Sequence, residues 1–89
     1  MKYSVLWNAR ALKQLKKLDK SIAELILRWV QKNLEGCENP FLHGKALTAN
    51  KTGQWRYRVG DYRLIAEIKQ QEVVILILTV GHRKEVYKD

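Results

Sequence analysis

Cysteine and proline occur once each in the 89 residues, as Cys37 and Pro40, and acidic residues number 9 against 17 lysines and arginines. A single cysteine closes no internal disulfide. With no Cys/His cluster around it, Cys37 reads as a half-buried thiol rather than a nucleophile or ligand. The absence of Pro/Gly-rich stretches, repeats and low-complexity tracts leaves no linker, so one domain is expected over residues 1–89. The longest apolar run, Val73–Leu78, falls far short of the roughly 20 residues a membrane-spanning helix needs. The opening Met1-Lys-Tyr-Ser-Val5 carries no apolar leader or cleavage site. A reducing cytoplasm suits these features, with no membrane partner. The two histidines, His43 and His82, stand far apart and no His/Asp/Glu set has ligand spacing. No metal or other cofactor is expected.

What is present is a folding composition with a strong positive excess. Hydrophobic residues make up 46% and charged residues 29%, ordinary for a folded domain. A chain of this size buries roughly 60% of its unfolded surface, so a functional site is expected in a surface groove. The net charge of +8 attracts polyanions: nucleic acid, an anionic membrane surface or an acidic protein.

Periodicity divides the chain. Tyr3–Trp7 reads as a strand. Asn8 is a helix cap, followed by Ala11, Leu12, Leu15 and Leu18 at helical spacing, with Lys13, Lys16 and Lys17 on the opposite face. Asp19 or Ser21 caps a second helix, Ser21 with Glu24 fitting a capping box. Its apolar stripe is Ile22, Leu25, Ile26, Trp29, Val30 and Leu34, and Gly36 stands where a terminating glycine belongs. The short connection predicts an αα-hairpin. A loop from Cys37 to about Gly53 carries His43, Lys45 and Lys51. From Gln54 the period becomes two. Trp55, Tyr57 and Val59 alternate with Arg56 and Arg58, Gly60-Asp61 forms a hairpin loop, and Tyr62, Leu64, Ala66 and Ile68 alternate with Arg63, Ile65 and Glu67. A polar turn, Lys69–Glu72, leads to a strand over Val73–Val80, ended by Gly81. The order β-α-α-β-β-β predicts an α+β fold of two layers, with the N-terminal strand and αα-hairpin packed on one face of an antiparallel sheet.

The hairpin fixes the arginines. With Gly60-Asp61 as the loop, Val59 faces Tyr62, Arg58 faces Arg63, Tyr57 faces Leu64 and Arg56 faces Ile65. Opposed residues project to the same side, so Trp55, Tyr57, Val59, Tyr62, Leu64, Ala66 and Ile68 line the core while Arg56, Arg58 and Arg63 share the other face. Opposed like charges destabilise a sheet unless an anion lies between them, and guanidinium suits bidentate contact with phosphate. Continuing through Gln70-Gln71 places Val74, Leu76 and Leu78 beside Ile65 on the arginine face. An exposed apolar patch of that kind marks a binding surface.

The run Gly53-Gln-Trp-Arg-Tyr-Arg-Val-Gly-Asp-Tyr-Arg-Leu-Ile65, the apolar strand 74–80 and the ending Gly81-His-Arg-Lys-Glu-Val-Tyr87 closely resemble the RelE branch of the RelE/ParE toxin superfamily. The Asn-Ala-Arg-Ala-Leu-Lys opening and the αα-hairpin extend the resemblance over nearly the whole chain. It implies the toxin of a type II toxin–antitoxin system: an mRNA interferase that enters the ribosomal A site and cuts the message. It implies an antitoxin, partly disordered until bound, and a complex that contacts operator DNA mainly through the antitoxin. Carried over, Arg56 and Arg58 match two basic positions of the second strand, Arg63 the arginine on the scissile phosphate, Arg83 a basic residue after the Gly-x turn, and Tyr87 the C-terminal tyrosine. The best-known member has lysines where this chain has Arg56 and Arg58. Arginine does not deprotonate in proteins, so those positions are expected to stabilise charge.

RNA cleavage by the 2′-hydroxyl needs in-line geometry, neutralisation of the phosphorane charge and two proton transfers, and no metal. Arg63 and Arg58 are assigned to the phosphate, with Arg56 and Arg83 supporting. His82, Tyr87 and Glu67 are the candidates for proton transfer, Glu67 being favoured instead as an arginine partner. Histidine ordinarily titrates near neutrality, and a tyrosine can also stack on a splayed base. Lys13, Lys16, Lys17, Lys20 and Lys45 are expected to contact RNA by long-range attraction. Ile65, Val74, Leu76 and Leu78 are expected to bind the antitoxin. Two other readings are kept: a ParE-type gyrase poison of the same fold, against which the arginine trio and the terminal tyrosine argue, and a non-catalytic nucleic-acid-binding co-repressor module, which the arginine face and the +8 charge suit equally.

Overall fold

The computed structural model describes residues 1–47 and 53–86, without the side chains of 85 and 86. Strand β1 spans Ser4–Trp7, helix α1 Ala9–Lys16 and helix α2 Lys20–Asn33. A 3-10 turn at Pro40–Leu42 precedes β2 (Lys45–Ala46), β3 (Gln54–Val59), β4 (Tyr62–Lys69), β5 (Val74–His82) and the one-turn α3 (Arg83–Val86). Among these, no helix is long and apolar enough to cross a membrane.

Local chemistry accounts for the helices. Asn8 caps α1, its Oδ1 accepting the Ala11 N–H at 2.8 Å. The capping-box expectation for α2 is not met. The helix already begins at Lys20, with Asp19 at the cap making no side-chain bond, so Ser21 lies inside the first turn. Residues 17–19 alone join the helices, as the hairpin reading requires. Beyond α2 the chain turns at Gly36 with φ +77°, a left-handed conformation that glycine adopts without strain.

The sheet order is β1-β5-β4-β3-β2. The α+β two-layer arrangement is as expected, with one difference: the sheet is mixed, because β1 runs parallel to β5. Turn signals relate only strands adjacent in sequence, and β1 meets β5 from the far end of the chain. Its ladder starts where Val73, at a positive φ of 57°, offers its carbonyl to the Ser4 N–H at 3.0 Å. The two-residue β2, read from sequence as loop, pairs Lys45 with Arg56 and Ala46 with Trp55.

The β3–β4 register is the one the hairpin dictates: Val59↔Tyr62, Arg58↔Arg63, Tyr57↔Leu64, Arg56↔Ile65. Gly60 has φ +61° and Asp61 does not take positive φ, the pattern of a II′ loop. The core forms under the helices from Ala11, Leu15, Ile26, Val30 and Leu34 against Tyr57, Val59, Leu64, Ala66, Ile75, Ile77 and Val80. The β4–β5 register breaks between Ile65 and Ala66: Ala66 pairs with Ile77 and Ile65 with Thr79. Leu78 is therefore the extra residue of a β-bulge. The expectation that Leu78 would lie directly beside Ile65 is corrected: Val74 and Leu76 hold the outer face and Thr79 opposes Ile65.

Candidate phosphate-binding cleft

The naked sheet face is graded. Toward β1 it is apolar: Leu6, 53% exposed, pairs with Leu76, and Ile65 and Val74 are half-buried. Toward β2 it is cationic. A cleft of about 270 Å³ is lined by Gly44, Lys45, Arg56, Arg58 and Arg63. Arg63 is the one charged residue buried among those described, at 7% exposure. Its Nη1 donates to the carbonyls of Gly60 at 3.3 Å and Tyr62 at 3.2 Å, which fixes the guanidinium against the hairpin end. Arg58 opposite is exposed, and Arg56 is half-buried.

One wall of this cleft comes from the loop before β2, held down by aromatic residues. The Tyr57 hydroxyl donates to the Pro40 carbonyl at 2.7 Å, and burial pushes that phenol's ionisation well above its ordinary range. The Trp55 indole N–H donates to the His43 carbonyl. Phe41 stands edge-on to Trp55 at 4.9 Å, and Trp29 edge-on to His43 at 5.7 Å. Gly44 then passes so close to β3 that a Cβ there would lie 2.1 Å from the Arg56 carbonyl oxygen, at a φ of +76°. Only glycine fits, and it delivers Lys45 to the cleft.

The bulge governs the far side. It sets Gly81 opposite Arg63 and His82 opposite Tyr62; an unbroken register would have set Val80 against Arg63. Past Asn8, whose N–H reaches the Ile77 carbonyl at 3.0 Å, β1 no longer covers β5. Gln14 of α1 takes over there, its Oε1 accepting the Val80 N–H at 2.7 Å.

The structure thus brings together Arg56, Arg58, Arg63 and Lys45. It places His82 on the Tyr62 side of the sheet, the rings 5.4 Å apart, with Nδ1 accepting the Lys84 N–H at 3.2 Å. Arg83 is exposed at the start of α3, its N–H bonded to the Asp61 carbonyl at 2.9 Å. Glu67 lies between Gln54 and Leu76, outside the cleft lining. Tyr87 lies outside the described residues. Lys13, Lys16, Lys17 and Lys20 are exposed on the helical layer, across the sheet from the arginines. There Arg10, Leu12, Lys13 and Lys16 line a separate open groove. Sequence reading had singled out neither Gln14 nor the wall-forming role of Gly44. A glycine directly before a lysine was the available signal for the second; for Gln14 there was none. Among the described residues no group of His, Cys, Asp or Glu is placed to hold a metal. The cleft's chemistry is that of fixed cations, suited to phosphate oxygens.

Comparison with known proteins agrees with this architecture. The family described as "ParE toxin of type II toxin-antitoxin system, parDE" matches residues 5–87. Toxin RelG of Mycobacterium tuberculosis is 30% identical over 88 residues, covering 99% of each chain. In the structure of the toxin–antitoxin complex RelBE2 from the same organism, one chain superposes with a TM-score of 0.82 at 29% identity, covering 93% of both chains. The isolated Escherichia coli RelE toxin gives 0.74 at 26% identity, covering 96% of this chain and 90% of that one. Over nearly its full length, then, the chain belongs to the RelE/ParE family of toxins of type II toxin–antitoxin systems.

Proposed function

We propose that the chain is an endoribonuclease that cleaves mRNA in the ribosomal A site by attack of a 2′-hydroxyl on the scissile phosphate, without a metal. The observation that carries this reading is Arg58 set across from the buried Arg63, in a cleft completed by Arg56 and Lys45. Opposed cations destabilise a sheet, and a phosphate between them turns that cost into binding. Arg63, held by two carbonyls, contacts the phosphate and stabilises the phosphorane as its charge builds; Arg58 and Arg56 share the task and Arg83 supports from the rim. His82 and Tyr87 are candidates to orient the RNA or move protons. The lysines of α1 and Lys20 face away from the cleft and suit long-range attraction to ribosomal RNA.

The partner that silences the toxin is an antitoxin segment, acidic and partly disordered until bound. It lies over Ile65, Val74, Leu76 and Leu78 with carboxylates toward the arginines. The apolar-to-cationic gradient of that face supports this, because a segment that folds on binding satisfies both halves at once. The RelBE2 structure from Mycobacterium tuberculosis is of a toxin–antitoxin complex. Contact with operator DNA runs through the antitoxin, and the site of action is the cytoplasm.

The test is to add the protein to translating ribosomes and map message ends by primer extension. New ends within codons are expected. The matching family is described by ParE, which favours a second reading, a gyrase poison. Inhibition of supercoiling with no new message ends would establish that reading instead.

A further inference from the structure

We infer that Lys45 is the general acid of the cleavage reaction, delivering a proton to the 5′-oxygen as it leaves phosphorus; this rests on the nuclease reading above. Among the described residues, the charged side chains lining the cleft are Arg56, Arg58, Arg63 and Lys45. Guanidinium stabilises charge but does not give up its proton in proteins. Among the described residues, Lys45 is therefore the only side chain of the lining that can transfer one. Of the other candidates, the His82 ring stands against Tyr62 with Nδ1 engaged and Glu67 lies beyond the lining, while Tyr87 lies outside the described residues.

The position of Lys45 is built rather than incidental. Pairing with Arg56 puts both side chains on one face. The preceding loop is pinned through the carbonyls of Pro40 and His43 and through the Phe41–Trp55 and Trp29–His43 ring contacts. Gly44 occupies a space no other residue fits. A solvated lysine needs no such scaffolding; one that must meet a phosphate bound by Arg58 and Arg63 does.

In the step, the 2′-oxygen forms a bond to phosphorus and its proton passes to solvent water. The P–O5′ bond breaks, its electron pair stays on O5′, and that oxygen takes a proton from the Lys45 Nζ. The products are a 2′,3′-cyclic phosphate and a 5′-hydroxyl, and the Lys45 amine recovers its proton from solvent. The arginines hold the charge throughout.

Single-turnover cleavage on pre-loaded ribosomes tests this with Lys45→Arg, which keeps the charge at an exposed position and removes the transferable proton. Ribosome affinity should be unchanged, while the rate falls by about 10²–10⁴, the usual contribution of general acid catalysis. A message with sulfur replacing the 5′-bridging oxygen has a leaving group that needs no proton. On it the variant should cleave at the wild-type rate. Wild-type cleavage of the ordinary message by Lys45→Arg, or a deficit that sulfur leaves unrelieved, overturns the assignment to Lys45 while leaving the nuclease reading intact. Failure of the wild-type protein to cleave either message overturns both.

Discussion

Replacing Gly44 by alanine separates two costs that the structure keeps distinct. Gly44, Gly36 and Gly53 all have positive φ, but only at Gly44 does a Cβ meet anything, the Arg56 carbonyl oxygen at 2.1 Å. The left-handed conformation alone costs a non-glycine residue roughly 1–2 kcal/mol. At Gly36, with nothing within 4 Å, that is the whole effect. At Gly44 the contact is with backbone, so the strand or the loop must move, and forced overpacking adds about 1–3 kcal/mol. Gly44→Ala should therefore destabilise by about 2–5 kcal/mol. For a domain of this size each kcal/mol lowers the melting temperature by roughly 4–8 °C, so the fall should be at least about 8 °C. Gly36→Ala should lose clearly less. Thermal melts followed by circular dichroism measure both. Because the moved segment carries Lys45, Gly44→Ala should also lose cleavage at temperatures where it remains folded. Equal melting losses for the two variants, or full activity in folded Gly44→Ala, would refute the close-approach argument.

Arg63→Ala should abolish growth arrest, cleavage falling by about 10²–10³ as when one donor to transition-state charge is removed elsewhere; a folded variant of wild-type potency would refute its role. Gln14→Leu leaves the Val80 N–H without its acceptor and should cost about 1–3 kcal/mol, with faster hydrogen exchange at Val80 in particular. Gln14→Glu, still an acceptor, should recover most of that protection. Tyr57→Phe removes the buried bond to Pro40 and should cost a similar amount in denaturant titrations. Because the Tyr57 phenol is harder to ionise folded than unfolded, its contribution is complete below about pH 10 and declines as pH rises further. The wild type should lose stability over that alkaline range by a component that Tyr57→Phe lacks.

Much of this protein is decided by short-range pattern. Asn8 before an apolar period of 3.6, the switch to alternation at Gln54 and the Gly60-Asp61 loop are local signals, and side-chain alternation carries the hairpin register outward from its turn. That is why Arg58 opposite Arg63 was legible without coordinates, together with the division of β3 and β4 into a core face and a cationic face. Relations between distant segments were not legible. β1 runs parallel beside β5 because the helical layer and the returning strands bring it there, and no turn links the two. The bulge at Leu78 lies within a run of aliphatic residues that reads equally well in either register. What decides it is that Ile75, Ile77 and Val80 reach the core while Gln14, distant in sequence, supplies the acceptor for Val80. That shift turns His82 toward Tyr62 and leaves Gly81 opposite Arg63. Lys45 read as one lysine in a loop; it entered the cleft only because Gly44 can lie against the Arg56 carbonyl, a contact between backbones that side-chain periodicity does not encode.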